Sequence, residues 1–497
     1  MTDQMASASP VEHFDVLVVG AGISGINAAY HLRQQCPDTR FVVLETFHSF
    51  GGTWLSHTYP GIRSDSDLYT FGYSFKPWVG PPIATAGEIL SYLGEVIAEN
   101  DLERDFRYRH QITNARWSSA EKHWAITATN LDTGVPQHFT ATFLYMGQGY
   151  YRHGQGYWPQ WQDMDQFEGR LVHSEEWTAD VEYAGKNVLL IGSGASAATI
   201  APNICEEASS VTMLQRSPTY FRAGRNAIEI ADALRKIDVR EDWIHEITRK
   251  QITWEADEFV KRAKAEPDAV REELIGEVRR LLGPDYDVEK HFTPSYRPWR
   301  QRIAFVPDDD LFTHIAAGRV TVETDEIERF TQSGVMLKSG RALKADLIVA
   351  ATGFNLNAFG DIAFEVDGTP VNFNDTLTYR GMMCTGVPNM VSVFGYLRAS
   401  WTLRADLVAG FFCRLMNHMA DTQSQSVEVA LRPEDADMQL GDWIANENFN
   451  ANYVKRGLHL MPKAGDKPEW QHTQHYWRDK DEIPAIDLSG TEFVYRA

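Results

Sequence analysis

Two stretches decide the fold. Phe14–Gly25 reads FDVLVVGAGISG, and Asn187–Ala197 reads NVLLIGSGASA. Each opens on a short run that is apolar throughout rather than alternating, as a parallel strand covered on both faces requires. Each run ends in a glycine-rich turn and passes into a helical stretch. A second apolar run follows in both places, Phe41–Leu44 (FVVL) after the first turn and Val211–Leu214 (VTML) after the second. Each unit also has a matching exit run, Thr142–Gly147 (TFLYMG) and Asp346–Gly353 (DLIVAATG).

A lone GxGxxG is weak, but here it stands twice between a strand and a helix, where it has a mechanism. In the first copy Gly20 makes the tight turn and Gly22 admits a pyrophosphate against bare backbone. Gly25 then lets helix and strand pack closely. The exposed N–H groups of the helix start, with Ser24 among them, would hold the phosphates. Glu45 closes the second strand, where a carboxylate can accept from ribose hydroxyls. In the second copy (Gly192, Ser193, Gly194, Ala195, Ser196, Ala197) alanine replaces the third glycine. Arg216 and Ser217 follow its second strand where the first unit has Glu45. A guanidinium suits a 2′-phosphate that a carboxylate would repel. The acidic copy therefore fits FAD and the arginine-bearing copy fits NADPH.

The expected fold class is α/β, with two Rossmann-like, doubly wound dinucleotide-binding domains and a helical insertion. The expected division is 1–150 for the first part of the FAD-binding domain and 151–221 for the first part of the NADPH-binding domain. Residues 222–299 form the insertion, charge-rich and helix-periodic over Ala227–Ile237 and Asp257–Leu282, with breaks at Pro267 and Gly283. Residues 300–352 complete the NADPH-binding domain. Residues 353–497 complete the FAD-binding domain and add a C-terminal tail in which no element pattern is legible.

Composition narrows the class. The chain has 497 residues, with 47 basic against 68 acidic side chains and a net charge of −21. That balance argues against nucleic-acid binding, which needs a basic field. No apolar run approaches the ~20 residues of a membrane span; Leu407–Cys413 is core-sized. The N-terminus, MTDQMASASPVEHFD, lacks the basic and apolar regions of a signal peptide, so a cytoplasmic location is expected. Cys36, Cys205, Cys384 and Cys413 include no CxxC pair, so neither a dithiol centre nor a cysteine-based metal site is expected. With no thiol pair to receive electrons from a flavin, O2 is the simplest acceptor.

One motif points to a family. Phe167, Gly169, His173 and Trp177 spell FxGxxxHxxxW just ahead of the second fingerprint. This resembles the signature that Baeyer–Villiger monooxygenases, class B flavoprotein monooxygenases, carry between their FAD and NADPH fingerprints. Related N-oxygenating enzymes usually have Tyr or Phe in place of the Trp. The segments Gly51-Gly52-Thr53-Trp54 and Tyr59–Asp67 (YPGIRSDSD) are similar to the family's flavin-side segment. Leu214–Tyr220 (LQRSPTY) and Ala399–Leu407 (ASWTLRADL) resemble the bacterial branch of the ethionamide-activating monooxygenase and long-chain alkane or ketone oxygenases.

The resemblance implies Gly52, Thr53 and Trp54 at the flavin, FAD and NADPH as cofactors, and O2 as co-substrate. It implies conversion of apolar ketones to esters or lactones through a C4a-peroxyflavin, with sulfoxidation of thioethers as a side activity. The alternative is a flavin monooxygenase that oxygenates nitrogen or sulfur. His173 is implied to support domain motion rather than the chemistry. A fixed cation must stabilise the anionic intermediates, and in the family it is an arginine entering from the NADPH domain. The matching segment is Tyr296–Arg302 (YRPWRQR). The pattern selects Arg302, whereas the residues alone rank Arg297 and Arg300 equally. Asp65 matches the carboxylate that orients that arginine. Gln301 stands where many members have a lysine for the 2′-phosphate, leaving more of that task to Arg216. Met382 and Met383 could face an apolar pocket but fit ordinary core better. Oligomeric state is not legible.

Overall fold

Val16–Val19 are enclosed because they lie between two parallel neighbours. The strand Glu12–Val19 pairs with Phe41–Leu44 on one side and Pro136–Met146 on the other. The structure, a computed structural model, describes residues 11–444, 449 and 451–497; the polar N-terminal stretch 1–10 lies outside the described residues. Phe106–Arg107 extends the sheet beyond Phe41–Leu44. On its other flank, His110–Ser118, His123–Asn130 and Pro136–Met146 form an antiparallel meander. The meander strands alternate buried and exposed residues, as a sheet with one wet face does. Strands threaded between helices are buried without alternation. After Gly353 the chain adds Ala363–Val366 beside His110–Ser118 and Met390–Ser392 beside Pro136–Met146.

The second sheet is parallel throughout, in the order Val320–Thr324, Ser210–Gln215, Asn187–Ile191, Leu347–Ala350, Arg170–His173. The two Gly-turns are closed by equivalent bonds. Gly20 N–H donates to Leu44 O and Gly192 N–H donates to Leu214 O, both at 2.8 Å.

Between these sheets' elements lies a helical region bracketed by a parallel pair, Phe221–Gly224 and Ala304–Pro307. Its helices are Glu229–Lys236, Glu241–Ala265, Pro267–Leu282 and Val288–Phe292. Pro267 opens its helix at a position whose N–H would have no partner, and Gly283 at φ +84° ends it. The long helix is moored to the first half. Buried Arg249 donates to the carbonyls of Tyr69 at 2.6 Å and Gly72 at 2.9 Å. His245 sits between Trp78 N–H and Tyr73 O.

The tail is built into the molecule. Helix Trp401–Asp421 packs on Ile23–Gln35, and its fully buried Arg404 pairs with buried Asp479. Tyr396 OH donates to the same carboxylate at 2.7 Å. A buried pair of this kind persists only when its remaining polar atoms are served; Thr473 and Arg380 O also join it. Ser426–Val429 pairs with Phe493–Arg496, and Trp470 is fully buried. Met382 and Met383 are fully buried in the core of the first half. Among the described residues no helix is long and apolar enough to cross a membrane.

Candidate active site

The first fingerprint forms a crevice that backbone alone could line. Gly20 holds φ +92°, and a Cβ on Gly25 would lie 1.8 Å from Gly20 O. The third glycine is therefore a steric requirement. A Cβ on Gly22 would stand 3.7 Å from Gly52 Cα, and Gly51 N–H donates to Ala21 O at 2.9 Å. The Gly51–Gly52 turn thus roofs the crevice. Gly52 itself holds φ +55°, and Thr53 and Trp54 begin the short helix beneath it. Ser24 is buried and accepts from Trp401 Nε1 at 2.7 Å.

Glu45 is 6% exposed. It accepts from Ala21 N–H at 2.6 Å and Phe47 N–H at 2.8 Å. Burial raises its pKa while these backbone bonds oppose the rise. Helix Ile23–Gln35 has no side-chain N-cap and no acidic residue in its first turn. Helix Ala86–Glu99, by contrast, carries a full capping box from Thr85 and Glu88. Uncapped N–H groups beside bare glycine backbone fit a pyrophosphate, and a carboxylate at Glu45 fits ribose hydroxyls.

The second fingerprint repeats this with fewer covers. Helix Ala195–Ile204 is also uncapped and lacks an acidic first turn. A Cβ on Gly192 would lie 2.3 Å from Ala351 O, whereas one on Gly194 would meet nothing within 4 Å. Ala197 is fully buried at the helix–strand contact. Ser193 Oγ bonds Thr219 Oγ1 at 2.9 Å, and Ser196 approaches the Tyr59 hydroxyl. Arg216 and Ser217 are exposed at the end of the Ser210–Gln215 strand. An exposed guanidinium there suits an anionic ligand arriving from solvent.

Between the two halves, Arg302 Nη2 donates to Asp65 Oδ1 at 2.6 Å across 237 residues of sequence. Asp65 is the first cause holding the guanidinium charged, with its pKa well above the ordinary value despite desolvation. Ser66 Oγ lies 3.4 Å from the same nitrogen. A second tie, Arg63 to Asp310 at 2.6 Å, joins the same segments. Arg300 N–H donates to Arg297 O, and both residues have further interactions.

The pair faces three tyrosines that sequence reasoning passed over. Tyr150 OH donates to Tyr151 OH at 2.5 Å. Tyr453, from the tail, stands 6.2 Å from Tyr151 ring to ring. Burial raises all three hydroxyl pKa values, and the Arg302 charge opposes the rise in each. Tyr150 stacks on Trp401 at 4.8 Å. The signal for Tyr150 and Tyr151 was their place directly after the exit strand; Tyr453 carried none.

The FxGxxxHxxxW residues line the connection between the sheets. A Cβ on Gly169 would strike Phe167 and Asp346 O, and Phe167 packs on Phe330. His173 is fully buried, and its Nδ1 accepts from Glu175 N–H at 3.1 Å. Trp177 is buried and its carbonyl accepts from Thr58 Oγ1 at 2.6 Å. Around them, burial lowers His57, His153 and His173 each to about 4. Burial also raises Glu175 to about 7, with the Glu176 charge adding to the rise and the Gly154 backbone opposing it, and His153 Nδ1 lies 3.9 Å from its carboxylate. Elsewhere Cys205, Glu206 and His314 converge within 4.8 Å, with Glu206 already paired to Arg319.

Residues 18–79 match the NAD(P)-binding Rossmann-like domain family, and residues 91–356 match the L-lysine 6-monooxygenase/L-ornithine 5-monooxygenase family. The FAD-containing monooxygenase EthA of Mycobacterium tuberculosis is 41% identical over 98% of both chains. Its Mycolicibacterium smegmatis counterpart is 41% identical over 94% of both. The probable FAD-binding monooxygenase AlmA of Acinetobacter baylyi is 38% identical over 94% of this chain and 93% of its own. Among solved structures, an oxidized steroid monooxygenase bound to NADP aligns at TM-score 0.76 and 21% identity over 97% of this chain and 99% of its own. A cyclohexanone monooxygenase from Rhodococcus bound to NADP+ aligns at TM-score 0.74 and 20% identity, over 98% and 100%. These structures share the fold. The chain is therefore a member of the class B flavin monooxygenases, in the branch of the FAD-containing monooxygenase EthA.

Proposed function

We propose that this monooxygenase carries out Baeyer–Villiger oxygenation of apolar ketones with NADPH and O2, and sulfoxidation of thioethers as a side activity. Residues 1–150 and 353–497 would hold FAD, residues 151–221 and 300–352 would hold NADPH, and 222–299 would be the helical insertion. Bound FAD, once reduced, supplies activation of O2 and delivery of one oxygen atom. The residues of this chain then do the rest. Gly20, Gly22, Gly25 and Ser24 hold the flavin pyrophosphate, and Glu45 its ribose. Gly192–Ala197 hold the NADPH pyrophosphate, and Arg216 with Ser217 the 2′-phosphate.

The single observation that carries the reading is the Arg302–Asp65 pair spanning the two halves. Arg302 supplies a fixed positive charge where negative charge develops on oxygen, and Asp65 keeps it aimed. Tyr150, Tyr151 and Tyr453 border that charge. His173 and Trp177 position the connection between the halves. A cytoplasmic setting fits the absence of a membrane-crossing helix among the described residues.

The test is Arg302→Ala with a ketone panel graded by chain length and mass-spectrometric product analysis. The expected outcome is loss of ester formation, at least a hundredfold, with flavin content retained. Esters at the normal rate would overturn the assignment. A second reading, oxygenation of nitrogen or sulfur, is favoured by the match of residues 91–356 to the L-lysine/L-ornithine monooxygenase family. N-oxide or sulfoxide products with no ester from any ketone would select it.

A further inference from the structure

The helix that starts at the first glycine turn is tied along its length to a helix far along the chain. Ile23–Gln35 and Trp401–Asp421 lie side by side, and the contacts advance together along both. Near their starts Trp401 Nε1 donates to Ser24 Oγ at 2.7 Å. Further on, Asp406 accepts from Asn27 Nδ2 and lies 3.7 Å from His31 Nε2. At the end of the first helix, Asn417 Nδ2 donates to Gln35 O at 3.3 Å. There Cys36 Sγ lies 3.7 Å from Cys413 O and 3.5 Å from Asn417 Oδ1, within donating reach of both.

Cys36 and Cys413 are free thiols 377 positions apart, so no CxxC spacing announces them. Their side chains also bond each other. The hydrogen bond from Cys413 holds Cys36 below the ordinary thiol range, with burial opposing, and the same bond is the first cause raising Cys413. The thiolate is the nucleophilic form of cysteine, so the two have different roles. Access divides them in the same way. Cys36 is 6% exposed between exposed Gln35 and Pro37, whereas Cys413 is fully buried within its helix. An attacking thiol nearer solvent with a resolving thiol behind it is the arrangement of a redox-responsive pair. Cys205 and Cys384 belong to other packing clusters.

We propose that Cys36 and Cys413 are a peroxide-responsive pair whose disulfide clamps the first fingerprint helix to helix Trp401–Asp421. Hydrogen peroxide is the oxidant, the product that reduced flavin and O2 yield whenever no oxygen atom reaches a substrate. The Cys36 thiolate attacks one peroxide oxygen and the O–O bond breaks. Cys36 becomes a sulfenic acid, and the departing hydroxide takes a proton to become water. The Cys413 sulfur then attacks the Cys36 sulfur. The S–S bond forms, the S–O bond breaks, and the Cys413 proton leaves with that oxygen as a second water. Two electrons pass from the two sulfurs to the peroxide. A bridge across so long a loop restricts the unfolded chain strongly. It also acts on the helix whose uncapped start is assigned to the flavin pyrophosphate, and its effect on flavin rests on that reading.

The experiment uses the FAD-loaded enzyme, reduced with dithiothreitol and freed of it. Samples with and without hydrogen peroxide are denatured in N-ethylmaleimide and compared by mass spectrometry. The untreated chain should take four labels, one for each cysteine. The treated chain should take labels at Cys205 and Cys384 alone. Digestion should show a Cys36 peptide joined to a Cys413 peptide, and dithiothreitol should restore full labelling. The bridged enzyme should melt higher than the reduced one and release flavin about threefold more slowly. Cys36→Ser and Cys413→Ala should each abolish that difference. Full labelling after peroxide, a Cys36 sulfinic acid without a bridge, or a bridge to Cys205 or Cys384 would each overturn the proposal. So would a bridge that changes neither melting nor flavin release. A bridge that raises the melting temperature alone would keep the clamp and sink the placement of flavin on this helix. If either variant fails to fold, the labelling of the wild-type chain decides the outcome.

Discussion

The two glycine crevices share one backbone grammar and differ in what lies over them. The first is roofed by the Gly51–Gly52 turn, with Ser24 held by Trp401 and Glu45 drawn inside by two backbone donors. The second is open, since a side chain grown from Gly194 would touch nothing, and its distinguishing charge, Arg216, is in solvent. A cofactor that stays through many cycles needs its polar groups enclosed, whereas one that arrives and leaves each cycle needs an exposed landing charge. Roofing therefore predicts residence time, which the fingerprint alone does not.

Four experiments would break or sharpen that contrast. Gly25→Ala places a Cβ 1.8 Å from Gly20 O and should reduce flavin content below a tenth of wild type, read from visible absorbance. Its mirror, Ala197→Gly, should leave flavin content intact. Normal flavin loading in Gly25→Ala would show that the first turn is not the tight one. Next, Arg216→Ala removes a charge-assisted contact of about 1.5–3 kcal/mol. It should raise NADPH KM some ten- to a hundredfold, leave NADH nearly unaffected and spare flavin content. An equal loss for both nucleotides would remove Arg216 from the 2′-phosphate.

The connection between the crevices gives the third. Glu175 titrates near 7 in the folded protein against an ordinary 4.5. The native state therefore binds the extra proton between those values. Its contribution to stability is complete below pH 4.5 and is lost as pH rises through 7. Glu175→Gln should raise stability at pH 8 by about 1–2 kcal/mol, the scale of a buried unsatisfied polar group, and change little at pH 4.5. The buried histidines act in the opposite direction, since burial lowers each to about 4 against an ordinary 6.5. Their penalty grows as pH falls between those values. Thermal melts across pH 4.5–8 separate the two effects. Last, Trp401→Phe removes one hydrogen bond to Ser24, worth about 0.5–1.5 kcal/mol. Flavin should dissociate several-fold faster, measured by its fluorescence on release. No change would mean that the roof, not this bond, retains it.

Much of this was legible beforehand because it rests on local rules. Runs such as Val16–Val19 and Val188–Ile191 announce strands buried on both faces. Glycine turns placed before helices announce uncapped N-termini. Arg302 and Asp65 were named from a resemblance, and the structure brings them to 2.6 Å. The tail was opaque for a physical reason. Tyr453 lies on the short helix Asn452–Gly457, whose order comes from packing against Tyr150, Trp401 and Phe394, not from a period.

The amino-acid order by itself therefore determined two glycine crevices, the contrast of Glu45 with Arg216, and membership in an oxygenating flavoprotein family. These depend on backbone geometry and on residues near in sequence. Tertiary structure alone decided which crevice is roofed, that Arg302 meets Asp65 across 237 residues, and that tail aromatics wall the site. Burial and long-range pairing depend on where distant segments pack, and no local pattern records that.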